Sequence, residues 1–83
     1  MAATRTQLLR SAGKNREQVR IEYTDRKGRN MVRTVRPYEI RGGYLWATDT
    51  KHGAGHIHSF KIARVRTAQP AGRKYRPRWE VKL

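Results

Sequence analysis

Side chains that could carry out catalysis are few in this chain, and none of them form a reactive group. There is no cysteine, and neither Ser11 nor Ser59 has a histidine and an aspartate near it at the spacing of a nucleophile and its base. The carboxylates form no pair at a spacing that indicates an acid and a base; they are Glu17, Glu22, Asp25, Glu39, Asp49 and Glu80. The sequence therefore predicts a protein that is not an enzyme.

Three histidines, His52, His56 and His58, lie within seven residues of one another. His56 and His58 would share one face of a strand, which is acceptable geometry for a metal. The third ligand would have to come from a glycine-rich loop, and no thiolate or acidic cluster supports it. We therefore expect a solvated loop with one histidine facing a ligand, no metal and no other cofactor.

Positive charge is the strongest chemical property of the chain. The chain has fourteen arginines and six lysines but six carboxylates, so the formal net charge is +14 over 83 residues and the isoelectric point is about 11.5. A basic domain of this kind is typical of a partner of polyanions, usually nucleic acid. Arginine also binds phosphate bidentately and stacks on bases, which lysine does not do.

The basic segment 73–78 has two interpretations that the sequence does not separate. It is either a flexible arm that contacts phosphates or a solvated loop before a pairing strand. Among the aromatic residues, Tyr44 and Tyr75 are candidates for stacking on a base, while Tyr23, Trp46 and Phe60 are assigned to the core.

Length and composition indicate one soluble domain over residues 1–83. No stretch approaches the roughly 20 apolar residues of a membrane span, and the N-terminus lacks the pattern of a signal peptide. The absence of cysteine suits a reducing compartment. We expect a cytoplasmic protein with no membrane partner.

The elements that must position these residues follow from the hydrophobic pattern. Good helix formers predict a short helix over about 4–12, ended by Gly13. Alternation of apolar and polar residues then predicts short strands within a barrel over about 18–68, a polar connection over 69–77 and a final strand over 78–83. The fold class is mainly β: a small, strongly bent barrel of five to six strands, preceded by one helix.

Two short segments of this pattern bear on where the candidate residues lie. In the strand over 29–36, alternation does not show whether Val32 and Thr34 or Met31, Arg33 and Val35 face inward. Residues 61–64 are compatible with a single helical turn.

Four segments, in this order, resemble the WYL domain, the Sm/SH3-like small β-barrel of bacterial ligand-sensing transcription regulators. They are Val19-Arg20-Ile21-Glu22-Tyr23; Gly28 with Arg33-Thr34-Val35-Arg36-Pro37-Tyr38; Gly43-Tyr44-Leu45; and Ser59-Phe60-Lys61-Ile62-Ala63-Arg64-Val65. Gly43 stands where the family has the tryptophan of its Trp-Tyr-Leu motif. The resemblance covers about residues 5–68.

The resemblance implies a site on the barrel for a nucleic acid or nucleotide-like ligand, built from basic residues on adjacent strands. Carried over by position, these residues are Arg33, His58, Lys61 and Arg64, with Tyr44 nearby. His58 and Lys61 replace usual arginines, and Ala63 replaces a usual aspartate. Family members typically carry a helix-turn-helix domain in front, so we expect an isolated barrel rather than a complete regulator.

These observations predict a regulatory barrel that binds nucleic acid, single-stranded DNA or RNA in preference to duplex, because no long helix is available to enter a major groove. Arg33, Lys61, Arg64 and Arg66 would neutralise phosphates, supported by His58 and Tyr44. One alternative is a protein-interaction module, such as a phage or mobile-element protein that docks on an acidic host protein through Trp46 or Trp79. Another is a structural subunit of a ribonucleoprotein or of a barrel ring, that is, a homo-oligomer joined by edge strands.

Overall fold

A computed structural model describes residues 4–51 and 55–83 and consists of one antiparallel sheet preceded by a helix. The strand order across the sheet is β4-β3-β2-β1-β5. The elements are α1 (Arg5–Lys14), β1 (Glu17–Thr24), β2 (Asn30–Arg41), β3 (Tyr44–Asp49), β4 (His58–Lys61), a 3-10 turn (Ile62–Arg64) and β5 (Val65–Lys74). The predicted fold class, mainly β with one short N-terminal helix, is confirmed.

The sheet is strongly bent, and two observations show it. The edge strands β4 and β5 are joined by the three-residue turn Ile62–Arg64, which rises only about 2 Å per residue, whereas a flat five-stranded sheet would hold its edges about 19 Å apart. The rings of Tyr23 in β1 and Phe60 in β4 also meet edge to face, with centroids 5.6 Å apart. Bulges in β5 and β2 help the strands to curl. Within the described residues β4 and β5 do not pair, so the sheet curls without closing.

The helix α1 begins with a capping box and packs on the curled sheet. Thr4 accepts from the N–H of Gln7, and the Gln7 side chain accepts from the N–H of Thr4. The helix continues through Gly13 to Lys14, beyond the expected stop. Gly13 is helical and buried, and a Cβ there would lie 1.8 Å from Leu83 Cδ1, so its role is close packing rather than termination.

The core lies on the concave face of the sheet and resolves the ambiguity in β2. Val35 is fully buried while Val32 is 59% exposed, so Met31, Arg33 and Val35 face inward. The buried cluster comprises Leu9, Ala12, Val19, Ile21, Val35, Leu45, Ala47 and Val65. Tyr23 and Phe60 pack against it as expected.

The assignment of Trp46 to the core was wrong. Cross-strand register pairs Trp46 with Glu39 and Ser59, so its ring lies on the opposite, outer face and is half-buried there. The neighbours Leu45 and Ala47 take the inward positions. The apolar run of β3 did not reveal which of its residues face which way.

The C-terminal third differs from the expected connection and final strand. β5 extends through Lys74, because it pairs along β1 from Val65 opposite Tyr23 to Lys74 opposite Glu17. Residues 75–83, here called the C-terminal strap, contain one isolated bridge, between Lys82 and Glu39, in place of the predicted strand over 78–83.

Separate hydrogen bonds and ring contacts, rather than a strand ladder, hold the C-terminal strap against β2. The hydroxyl of Tyr75 donates to the carbonyl oxygen of Pro37, and the N–H of Arg78 donates to the hydroxyl of Tyr38 at 3.0 Å. The ring of Trp79 meets Tyr38 edge to face at 5.4 Å. The alternation of apolar residues in the strap is therefore not accompanied by pairing along a strand.

Among the described residues, no helix has the length and apolar character needed to cross a bilayer.

Candidate nucleic-acid interface

The register of the sheet divides the six predicted site residues between two faces and one edge. Arg33 lies opposite Ile21 and His58 opposite Ala47, so both face the concave side. Tyr44 and Lys61 lie opposite each other and face outward. Because strand side chains alternate, these two pairs do not share one surface.

The concave side holds a pocket of about 280 Å³ that contains Arg33 and His58. We call it the concave pocket; its lining is Tyr23, Met31, Arg33, Asp49, His58, Ser59 and Phe60. Two aromatic rings, Tyr23 and Phe60, form one wall by their edge-to-face contact. A cationic fork beside aromatic surface in a cavity is an arrangement suited to a phosphorylated, ring-bearing ligand.

Arg33 is held in the concave pocket by a buried carboxylate. Its Nε lies 3.4 Å from Oδ2 of Asp49, whose side chain is 5% exposed, and its Nη2 lies 3.3 Å from Sδ of Met31. Asp49 Oδ1 accepts the N–H of Lys51 at 2.9 Å, which fixes the carboxylate in turn. The guanidinium is therefore preorganised, and its charge is partly offset by its partner.

The other four predicted residues lie outside the concave pocket. Tyr44 is 39% exposed on the outer face, with its ring 6.5 Å from that of Trp46. Arg64 is half-buried in the 3-10 turn. Arg66 lies in β5, where its Nη1 is 3.4 Å from Oδ1 of Asn30. Arg33 and His58 line the same pocket, whereas the other four residues are not part of its lining.

The Gly42-Gly43 turn accounts for the departure from the Trp-Tyr-Leu motif. Gly42 and Gly43 have φ of 60° and 80°, and they connect β2 to β3 as a two-residue hairpin loop. A tryptophan at position 43 would be strained in this left-handed conformation. The motif's first position is therefore a turn residue in this chain and contributes no side chain.

Asp49 and Met31 belong to the site, but they were not predicted from the sequence. A usable pattern was present, since Leu45, Ala47 and Asp49 alternate and so share the inward face of β3. The pattern did not show that the Arg33 side chain would reach Asp49 from β2, because the inward face of β2 was undecided.

A second cavity, of about 290 Å³, lies on the outer face under the C-terminal strap. We call it the outer groove; its lining is Tyr38, Glu39, Arg41, Trp46, Ile57, Trp79, Glu80 and Lys82. The guanidinium carbon of Arg41 lies 5.6 Å from the centroid of the Trp46 ring. The sequence could not place this groove, because it forms between β2, β3 and a strap expected to be a strand.

In the part of the chain that the structure describes, two side chains have a shifted pKa, and both serve the structure. Burial raises the pKa of Tyr75 to about 12, reinforced by the neighbouring Tyr38. The pKa of Asp25 is lowered, chiefly because the Arg29 N–H donates to its carboxylate in the β1–β2 turn.

The structure describes two of the three histidines that were considered as metal ligands, His56 and His58. His52 lies outside the described residues, and His56 is exposed in the loop before β4. Among residues 4–51 and 55–83, no three metal-ligating side chains are grouped for a metal ion. The expectation of no metal stays a prediction.

A short antiparallel sheet curled around a core that a helix covers, with an aromatic-walled pocket on its concave side, defines a small β-module with a candidate ligand site. The chain belongs to the WYL domain family, whose model matches residues 5–70. It is also similar to a solved structure, proteasome accessory factor B/C (PafBC) of Arthrobacter aurescens, at 27% identity and a TM-score of 0.66.

The match to PafBC covers 84% of this chain and 12% of that one, so the chain corresponds to one small part of PafBC. A comparison with curated proteins found no match. The resemblance inferred from four sequence segments is confirmed at the level of the family.

Proposed function

We propose that this chain is a non-enzymatic regulatory module that binds nucleic acid or a nucleotide-like ligand, single strands in preference to duplex. The observation that carries the proposal is the concave pocket, in which Arg33 is fixed by Asp49 next to His58 and the Tyr23–Phe60 wall. Membership in the WYL domain family supports a binding role over a catalytic one.

Charge supports a polyanionic partner. The chain carries +14, while Asp49 offsets part of the charge of Arg33 inside the concave pocket. One phosphate would bind at Arg33 and His58, and the rest of the backbone would contact exposed cations. Lys61 and Arg66 lie on exposed surface outside the pocket and suit that supporting role, with the half-buried Arg64 at the turn between them.

Single strands are favoured by the shape of the protein. The helix α1 has ten residues and its buried side packs on the sheet, so it is not free to enter a major groove. Strand surfaces with tyrosines and arginines are the common solution for unpaired bases, at about 1–3 kcal/mol for each stacked base.

Fluorescence anisotropy with labelled single-stranded DNA, RNA and duplex DNA tests the proposal. Arg33→Lys keeps a counter-ion for Asp49 but loses the planar fork, so we expect it to weaken single-strand binding about tenfold without unfolding the domain. Arg26→Lys, in the exposed β1–β2 turn, is the matched control and should bind as the wild type does. Equal affinities of the two variants, or duplex bound more tightly than single strands, would contradict the proposal.

The protein-docking alternative predicts a different result. A module that docks on an acidic protein through Trp46 or Trp79 would show no dependence on Arg33, and short oligonucleotides would bind no better than they bind a peptide of equal charge.

A further inference from the structure

The outer groove differs in chemistry from the rest of this basic chain. It contains Glu39 and Glu80, two of the six carboxylates in the sequence. Arg41 Nη1 lies 4.0 Å from Glu39 Oε1, and Lys82 lines the same groove. A phosphate would be repelled by those carboxylates. The part of a ligand that fits here is therefore uncharged or a hydrogen-bond donor.

The walls of the outer groove are aromatic and present flat surfaces. The rings of Tyr38 and Trp79 meet at 80° with centroids 5.4 Å apart, which makes a right-angled corner. Trp46 lines the same groove and already carries the Arg41 guanidinium 5.6 Å from its ring centroid. Trp79 is 40% exposed, so this ring is accessible for stacking.

The size of the outer groove limits the ligand further. Its volume of about 290 Å³ lies at the small end of small-molecule sites, which begin at roughly 300 Å³. One planar ring system fits this space, together with part of the chain to which it is attached.

An ionised carboxylate only accepts hydrogen bonds, so the edge of the ring that faces Glu39 or Glu80 must donate them. Guanine presents two adjacent donors, N1–H and the N2 amino group, on its Watson–Crick edge. Adenine and cytosine present one amino donor beside an acceptor, and thymine presents one imino donor between two carbonyls. A carboxylate can therefore bind guanine with both oxygens and the other bases with one at most.

We propose that the outer groove binds one unpaired guanine of a single strand, stacked on Trp79 or Trp46 and read on its donor edge by Glu39 or Glu80. This inference rests on the proposed function and adds a base preference at a second location. The phosphates on either side of the base would lie outside the groove, away from its carboxylates, where exposed cations of this basic chain would contact them. A basic peptide would also match the carboxylates, but the charge of +14 repels it.

The test uses labelled oligothymidylate of ten nucleotides and the same strand with one central guanine, adenine or cytosine. We expect the guanine strand to bind about tenfold more tightly than the other three at equal salt. Because Trp46 and Trp79 are the two tryptophans of the chain, we also expect the guanine strand to quench tryptophan emission most strongly.

Two double variants make the test specific to the groove. Glu39→Gln with Glu80→Gln removes both acceptor charges, and we expect the guanine preference to fall below twofold. Glu17→Gln with Glu22→Gln changes the net charge equally at β1, outside the groove, and should keep the preference. Far-UV circular dichroism and thermal unfolding establish that both variants fold.

The possible outcomes separate this inference from the proposed function. If oligothymidylate binds through Arg33 but a guanine adds nothing, the groove inference is wrong and the proposed function stands. If no strand binds this protein more tightly than it binds a peptide of equal charge, the proposed function fails and the inference fails with it. Quenching by an oligoarginine peptide, with none by the guanine strand, would assign the groove to a basic partner and overturn the inference.

Discussion

Asp49→Asn should move stability and ligand affinity in opposite directions. The substitution removes the negative charge 3.4 Å from Arg33 Nε but keeps an oxygen that can accept the Lys51 N–H. Folding loses an ion pair, while an incoming phosphate no longer meets a carboxylate beside the guanidinium. The two effects are independent readouts of the same contact.

The magnitudes follow from the geometry. At 3.4 Å and an effective dielectric constant of about 20, the direct attraction is about 5 kcal/mol, most of which is offset by desolvation. Because the Arg33 side chain is 26% exposed, we expect a net loss of about 2 kcal/mol in the free energy of unfolding. With an unfolding entropy of about 2.1 cal/mol/K per residue, this corresponds to a fall in Tm of roughly 10 °C for 83 residues.

The affinity effect is smaller and has the opposite sign. Removing one charge close to the bound phosphate relieves a repulsion of about 1 kcal/mol, which corresponds to roughly fivefold tighter binding. Calorimetry or thermal circular dichroism measures the first effect, and anisotropy with a single-stranded oligonucleotide, below the Tm of the variant, measures the second.

Glu22→Gln is the matched control, since it changes the net charge equally at an exposed position on β1. Its effects on Tm and affinity should both be small. If Asp49→Asn binds no more tightly than this control, the carboxylate does not oppose a phosphate at Arg33 and the predicted gain in affinity is wrong. If its Tm equals that of the control, the ion pair does not hold the pocket.

Two further predictions concern the packing of the C-terminal strap. Gly13→Ala places a Cβ 1.8 Å from Leu83 Cδ1 and 3.3 Å from Pro37 Cβ, so it should displace Leu83 and destabilise by about 1 kcal/mol. In a Leu83→Ala background the same substitution should instead be neutral or stabilising, because alanine favours the helix over glycine by about 1 kcal/mol. Urea denaturation measures both effects, and equal effects in the two backgrounds would refute the contact between Gly13 and Leu83. For Tyr75 the pKa is raised in the folded state, so its contribution to stability is present below pH 10 and is lost as the pH rises through about 12. Tyr75→Phe should therefore lose less stability than the wild type between these pH values in urea titrations, and parallel losses would show that Tyr75 does not cause the alkaline decline.

Alternation in the sequence was enough to predict a mainly β fold where one face of a strand is clearly apolar. Val19, Ile21 and Tyr23 gave the inward face of β1 directly. β2 has apolar residues on both faces, and only the exposure of Val32 and the burial of Val35 distinguish them. The sequence therefore did not show whether Arg33 would be a pocket residue or a surface charge.

The site itself was predictable only in part, because it depends on register between strands distant in sequence. Arg33 and His58 were both named from the family resemblance, and the register of β2, β3 and β4 brings them together. Tyr44 and Lys61 were grouped with them, although their positions in β3 and β4 place them on the outer face. A shift of one residue along a strand changes the face, and residue type alone does not fix it.

The strap was misjudged for a different physical reason. Trp79, Val81 and Leu83 alternate as in a strand, but hydrogen bonding there is limited to an isolated bridge and side-chain contacts around Tyr38. A segment that packs one side against a sheet, without pairing along it, shows the same alternation of apolar residues. The outer groove exists because of this arrangement.

The salt dependence of single-strand binding, compared between the wild type and Arg33→Lys, tests the central claim most directly. A single strand that contacts about five phosphates gives a slope of log affinity against log salt near −3.5. The wild type should show this slope, and Arg33→Lys should keep it almost unchanged while binding about tenfold more weakly, because a point charge remains but the fixed fork is lost. Equal affinity of the two proteins across the salt range would contradict the claim that the concave pocket binds the ligand.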